Sequence, residues 1–250
     1  MKRNFSYFAP IFLFILLFAC LLCLAAGAEP YADDAAAVAA GAVARVGAAG
    51  GDGYYPTLDA ALAAAADGDT VTLLADATLA SATVDKKITL DGAGHTLKSD
   101  GIAAGTKTYW LTVTGEVTFR NVRIDAGYLF ALNAKSGAKV TFTDKTSLWG
   151  IGSGARNILI YNEAGATMTV DNGCALTVED APANNAVTAT VKNSGTLHVY
   201  GAIRNLSTRT DKWNRCIHGD SAGKDGFLYL YDGGLIELPS GGSSTTGGGA

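Results

Sequence analysis

Few side chains in this sequence have the types and spacing to act on a substrate. They are three histidines (His95, His198 and His218) and four aspartates between strand-like segments (Asp171, Asp180, Asp211 and Asp220). Hydrolysis of a glycosidic bond needs two carboxyl groups at a set separation. His218-Gly219-Asp220 offers one carboxylate beside a histidine, but the adjacent pair Asp33-Asp34 lies far upstream in an Ala-rich stretch. Calcium-assisted elimination needs acidic ligands and a basic residue in one groove. Four scattered aspartates do not establish that, because Asp is also an ordinary turn residue. No two histidines stand at ligand spacing, and Cys216 with His218 falls short of a zinc ligand set. The sequence therefore predicts no catalytic residue, no metal site and no cofactor. Elimination on a polysaccharide remains the enzymatic alternative, and an inert spacer is the third reading.

Recognition is better supported. In Phe227-Leu-Tyr-Leu-Tyr231 the period of a strand sends Leu228 and Leu230 to one face and Phe227, Tyr229 and Tyr231 to the other. His198 and Tyr200 occupy the matching positions one unit earlier, and Trp213 lies in the segment between. Aromatic side chains exposed on a stiff surface stack on sugar rings or anchor a protein. The expected binding residues are thus His198, Tyr200, Trp213, Phe227, Tyr229 and Tyr231, with a glycan or a cell-surface protein as partner. The competing reading is that the intervening segment or a further coil covers them.

A repeated short strand must position these residues. Val71-Thr-Leu73, Ala82-Thr-Val84 and Ile88-Thr-Leu90 are apolar–polar–apolar cores separated by turn residues. The pattern returns after a glycine as Val117-Thr-Phe119, Val140-Thr-Phe142, Met168-Thr-Val170, Leu197-His-Val199 and Leu228-Tyr-Leu230. The spacings between first positions are 23, 28, 29 and 31 residues. Strands this short cannot bury themselves, so they must stack on copies of themselves in a solenoid. Second strands follow at Val122–Ile124, Leu176–Val178 and Ile236–Leu238, which predicts two strands per coil. Val117, Val140, Met168, Leu197 and Leu228 should form one inward ladder, and Phe119, Phe142, Val170, Val199 and Leu230 the next. Thr118, Thr141, Thr169, His198 and Tyr229 should face outward. The longest inserts run over 180–189 and 204–226. Upstream, Thr57 is a good N-cap for a helix over 57–66, whose Leu58, Ala61, Leu62 and Ala65 make one apolar face. That face should cover the first rung.

The first 28 residues read as a secretory signal: Lys2 and Arg3, an apolar run from Ile11 to Ala26, and a small-x-small site with cleavage after Ala28. A retained anchor is the alternative, since the run approaches spanning length. The expected location is secreted or on the cell surface, with membrane contact only through the uncleaved signal. The remaining residues carry 17 basic and 23 acidic side chains, a net charge of −6. That argues against a nucleic-acid partner, which needs a basic face. Cys174 and Cys216 remain outside the signal, either as a possible disulfide in an exported chain or as two buried thiols. Asn205-Leu-Ser207 fits a glycosylation sequon. Residues 29–42 read as a low-complexity lead-in, 43–240 as the solenoid domain and 241–250 as a flexible Gly/Ser/Thr tail.

Residues 56–97, PTLDAALAAAADGDTVTLLADATLASATVDKKITLDGAGHTL, resemble the N-terminal cap and first coils of right-handed parallel β-helix proteins of bacterial cell surfaces. The later Gly-x-Val-Thr-Phe units are similar too, so the resemblance spans roughly residues 43–240. It implies an all-β, right-handed parallel β-helix solenoid with a short N-terminal capping α-helix, in an exported, adhesin-like bacterial protein. The same pectate-lyase-like superfold serves enzymes, adhesins and stalks, so the resemblance speaks to fold more than to activity.

Overall fold

The computed structural model describes residues 29–100, 109–127, 130–151, 157–179, 188–206, 214–219 and 226–238. The expected cleavage site at Ala28, Trp213, Asp180, Asp211, Asp220 and the 241–250 tail lie outside these residues.

The chain winds as a parallel β-solenoid. The first coil holds β4 (Thr70–Leu73), β5 (Ala77–Leu79) and β6 (Ala82–Val84), and the second β7 (Lys87–Asp91), β8 (Thr96–Ser99) and β9 (Leu111–Val113). The third holds β10 (Glu116–Arg120), β11 (Arg123–Asp125) and β12 (Leu132–Ala134); the fourth β13 (Lys139–Thr143), β14 (Ser147–Ile151) and β15 (Asn157–Asn162). The fifth holds β16 (Thr167–Val170), β17 (Ala175–Glu179) and β18 (Thr188–Asn193); the sixth β19 (Thr196–Val199), β20 (Ala202–Asn205) and β21 (Asn214–Gly219). Then come β22 (Phe227–Leu230) and β23 (Leu235–Glu237). Equivalent strands pair in parallel to give three sheets, A from β4 to β22, B from β5 to β23 and C from β6 to β21. Each coil therefore has three strands, where the sequence led us to expect two. Sheet C is the addition, and β21 in it interrupts what reads in sequence as one insert over 204–226.

Register in sheet A follows the expected ladders. Val117 pairs with Val140, Val140 with Met168, Met168 with Leu197 and Leu197 with Leu228. Phe119, Phe142, Val170, Val199 and Leu230 align in the same way. The inward residues of β10, β13, β16 and β19 are buried, and the Phe119 and Phe142 rings stack at 5.4 Å between centroids. Each such side chain stabilises the fold by about 1.5–3 kcal/mol relative to exposure. The recurrent glycine before these strands meets two different demands. At Gly195 a Cβ would sit 2.4 Å from the Ala166 carbonyl oxygen, so there is no room for one. At Gly137 the backbone turns with φ of +84°, which L residues seldom adopt.

Polar groups pin the corners. At the corner from sheet C to sheet A, the buried Asn162 donates from Nδ2 to Asn193 Oδ1 (2.8 Å) and to the Thr196 carbonyl (3.0 Å). Asn193 in turn donates to the Phe227 carbonyl at 3.1 Å. These bonds tie the ends of the fourth and fifth coils to the rungs that follow, and Gly219 stands at the next register position. At the corner from A to B, the buried Thr146 hydroxyl donates to the Thr143 and Phe119 carbonyls.

The N-terminal end is built differently. β1 (Glu29–Tyr31), β2 (Ala44–Val46) and β3 (Gly51–Tyr55) extend sheet A beyond β4 with antiparallel pairing, in the order β1-β3-β2-β4. The lead-in is thus structured. Its α1 (Asp34–Ala39) is capped by Asp33, whose carboxylate accepts from the Ala36 amide. Asp34 accepts from the Tyr54 hydroxyl and pairs with Arg45 at 3.0 Å. The Asp33-Asp34 pair therefore serves local structure. The expected helix forms as α2 (Leu58–Ala64), with the Thr57 hydroxyl accepting from the Ala60 amide. Leu58 and Ala61 bury into the core, and the helix contacts β2, β3, β4 and β5. Lys86 crosses from the first coil and donates to the carbonyls of Leu62, Ala63 and Ala65, satisfying acceptors that the helix end leaves open.

Candidate binding surface

The outer face of sheet A changes character along the solenoid. Its middle column runs Thr89, Thr118, Thr141, Thr169, His198 and Tyr229 in register. The column at the strand starts alternates charge, Lys87, Glu116 and Lys139, before Thr167, Thr196 and Phe227. Lys87 and Glu116 pair at 3.3 Å. The hydroxyl and charged surface gives way to rings only over the last two rungs.

Those rings are stacked. Tyr200 and Tyr231 lie 4.0 Å apart with planes 8° from parallel, and His198 and Tyr229 lie 5.0 Å apart at 14°. His198 also faces Tyr231 at 5.8 Å, with its Nδ1 2.9 Å from the Tyr231 hydroxyl. The separations follow from the strand spacing of about 4.8 Å, which brings in-register rings to stacking distance. The neighbouring Tyr200 hydroxyl, followed by partial desolvation, holds the Tyr231 phenol above its ordinary pKa. Phe227, Tyr229 and Tyr231 are exposed. Of the expected binding residues, the structure brings His198, Tyr200, Tyr229 and Tyr231 into one cluster and places Phe227 on the same face of the same strand; Trp213 lies outside the described residues.

The stacking decides what the surface offers. Each pair covers one face of each ring. Outward, the cluster presents ring edges, three phenol hydroxyls and an imidazole. Among the described residues no further ring stacks on Tyr229 or Tyr231. Leu228 and Leu230, expected inward and buried, are both exposed, because their inward ladder has no rung beyond β22 among the described residues.

Two further clusters are absent from the sequence reading. On sheet C, Tyr109 packs edge-on against Phe130 at 5.1 Å and lies 6.4 Å from Tyr161, while the Lys192 ammonium sits 4.4 Å from the Tyr161 centroid. Burial pushes the Tyr109 phenol well above its usual value. At the A–B corner, Asp91, Arg120, Asn121, Asp144, Lys145 and Asn172 line a groove of about 660 Å³. Asp91 is engaged there twice, accepting from the Ala93 amide and pairing with Arg120 at 2.6 Å. Asn121, Asp144 and Lys145 all have left-handed φ, between 46° and 64°. Nothing in a one-dimensional pattern links residues that come from four different coils.

The remaining candidates separate. His95 stands in the turn after β7, 3.8 Å from Asp76, while His218 lies in sheet C and His198 in sheet A. Among the described residues no three His, Cys, Asp or Glu side chains group to hold a metal ion. The possible disulfide is not formed. Cys174 and Cys216 are free and buried, one in the turn entering sheet B and the other in sheet C a coil later. The Cys216 thiol donates to the Glu237 carbonyl at 2.8 Å, and burial pushes it up to about 11. Asn205 of the sequon is wholly buried and donates to the Arg215 carbonyl, so a glycan has no access to it in the folded chain. No protein-family model, no curated protein and no solved structure matches this chain.

Proposed function

We propose that this chain is an exported recognition module, an adhesin-like right-handed β-helix of bacterial cell-surface type, that holds glycan or protein against the outer face of its last coils. The observation that carries the reading is the stacked cluster of His198, Tyr200, Tyr229 and Tyr231 on a rigid sheet. A sheet that fixes ring positions removes most of the side-chain ordering that binding would otherwise cost. Glycan is the favoured class. Hydroxyls, an imidazole and ring edges suit a polyhydroxylated ligand, and the threonine column continues the hydrogen-bonding surface away from the rings. The signal-like N-terminus and acidic balance agree with export and with a partner other than nucleic acid.

The experiment is a glycan-array screen of the purified protein beside Tyr229→Ala/Tyr231→Ala, with circular dichroism to check both folds. Binding by the parent that the variant loses is the expected result. No binding by either protein would turn the reading toward a spacer.

The groove at the A–B corner favours one second reading, an enzyme acting by elimination on an acidic polysaccharide. Two carboxylates, Asp91 and Asp144, meet two basic side chains, Arg120 and Lys145, in one place. Incubation with uronic-acid polymers, watched for the ultraviolet absorbance of an unsaturated product, separates the readings. Absorbance that grows and disappears in Lys145→Ala would put the enzyme first.

A further inference from the structure

We propose that Asn172 is a site of spontaneous modification: in the folded chain its carboxamide is converted, through attack by the Gly173 amide, to aspartate and isoaspartate. The inference stands apart from the recognition reading. It rests on one corner turn and not on the ring cluster.

Asn172-Gly173 is the one Asn-Gly step in the sequence. It lies between β16 and β17 at the A–B corner, where both residues are exposed and both line the groove of about 660 Å³. The ends of the turn are held. The Asp171 amide donates to the Phe142 carbonyl, the Cys174 amide closes the turn on the Asp171 carbonyl at 3.1 Å, and the Cys174 carbonyl accepts from the Ala202 amide. The middle is not held. Among the described residues no hydrogen bond engages the Asn172 carboxamide or the Gly173 amide.

The reaction needs the Gly173 nitrogen to swing onto the Asn172 Cγ. The peptide that joins the two residues is the central one of the turn, with φ of +80° at Gly173. Turns of types I and II differ by a rotation of this central peptide and share the closing bond. Glycine accepts φ of either sign, so the peptide can rotate while the bond from Cys174 to Asp171 stays made. Nothing lies within 4 Å of the position a Cβ would take at Gly173, so the nitrogen has open space around it.

The step balances without oxidant or reductant. The Gly173 nitrogen gives its proton to solvent base and bonds to Cγ. The Cγ–Nδ2 bond breaks, and the amide nitrogen leaves as ammonia after taking up a proton. The product is a five-membered succinimide, and water then adds to one of its two carbonyls. Opening at Cγ leaves aspartate. Opening at the main-chain carbonyl leaves isoaspartate, with the chain running through Cβ and Cγ. Either product adds a negative charge, so the groove then sets three carboxylates, in place of Asp91 and Asp144 alone, against Arg120 and Lys145.

Other asparagines lack this combination. Asn133, Asn162, Asn193 and Asn205 are buried. Asn121 is exposed in the same groove, but the β-branched Val122 follows it. Its backbone is also tied on both sides, the amide to the Thr143 carbonyl and the carbonyl to the Gly94 amide. Asn121 is therefore an internal control.

The purified protein is held at pH 6 and pH 8, with circular dichroism to follow the fold, and sampled by peptide mass mapping and by enzymatic methylation of isoaspartate. The expected result is an amide-to-acid mass gain at Asn172, faster at pH 8, with isoaspartate in the same peptide and Asn121 unchanged. Gly173→Ala should slow the gain at least tenfold, because a side chain hinders the attacking nitrogen. Asn172→Gln should do the same, because it must close a six-membered ring. An Asn172 that stays intact in the folded protein while the same peptide reacts in urea overturns the proposal. So does an equal gain at Asn121, or a rate that Gly173→Ala leaves unmoved.

Discussion

The rings of Tyr200 and Tyr231, one coil apart, lie face to face with centroids 4.0 Å apart, and the hydroxyl of the first sets the titration of the second. The Tyr231 phenol loses its proton at higher pH than an isolated tyrosine does. Replacing Tyr200 with Phe keeps the stack and removes that hydroxyl, so Tyr231 should then titrate at lower pH. An ultraviolet difference titration, each form read against its own Tyr231→Phe counterpart, measures the shift. No change, or a change upward, would remove the hydroxyl as the cause.

The asparagine ladder should act as a unit. Asn193→Ala strips Asn162 of an acceptor and leaves the Phe227 carbonyl without its side-chain donor, at a cost of about 1–3 kcal/mol. Asn162→Ala should cost a similar amount, because the Thr196 carbonyl loses its donor. The double variant should lose less than the sum, since both single changes break the same bond between the asparagines. Urea midpoints at a common m-value give the three numbers, and strict additivity would contradict the coupling.

Lys86 joins the helix to the coils. Its ammonium meets three carbonyls at the end of α2, where the helix dipole is negative. Lys86→Met keeps much of the aliphatic stem and should cost about 1 kcal/mol, because the site is partly open to water. Hydrogen exchange should then accelerate over residues 58–65 and stay as before in β10 through β19. Uniform acceleration throughout would mean that the lysine supports the whole fold and not one joint.

Cys216 gives a pH dependence with a definite sign. Burial raises its thiol from about 9 to about 11, so the folded state favours the protonated form. The resulting stabilisation is complete below about pH 9 and is lost as the pH rises through 11, on the order of 3 kcal/mol in all. Tyr109 moves the parent in the same direction. The denaturation midpoint should therefore fall on that alkaline limb, and fall less in Cys216→Ala. Alkylation at pH 8 should be slow in the folded protein and fast in urea. Equal alkylation rates would show that the thiol is open to solvent.

The inward ladders of sheet A were legible because a period of two with a glycine ahead survives any loop length. Val117, Val140, Met168, Leu197 and Leu228 can be aligned by eye. Of sheet C only the first strand, Ala82-Thr-Val84, was legible, and its recurrence in later coils was not. The later strands include Leu132-Asn-Ala134, where the middle residue is buried and polar and the last is small, and the segments before them differ in length from coil to coil. Asn162 and Asn193 read as turn residues in one dimension; only the stacking of coils shows each bonded to the next rung. The ring cluster was legible for the same reason as the ladders, since alternation in β22 assigns Tyr229 and Tyr231 to one face. The exposure of Leu228 and Leu230 was not. Alternation says which way a side chain points, and burial also requires something to lie above it.

The coils differ in length. Residues aligned in neighbouring rungs are separated by 23, 28, 29 and 31 positions from Val117 to Leu228. A rod pulled apart through its two ends parts between rungs, one coil at a time, and each coil then releases its own contour length at about 3.5 Å per residue. The unequal lengths act as a barcode. A force–extension record that opens at the last coil reads 31, 29, 28 and then 23 residues, and one that opens from the other side gives the reverse order. A bound partner would show in the same record as a pause at the coil it grips.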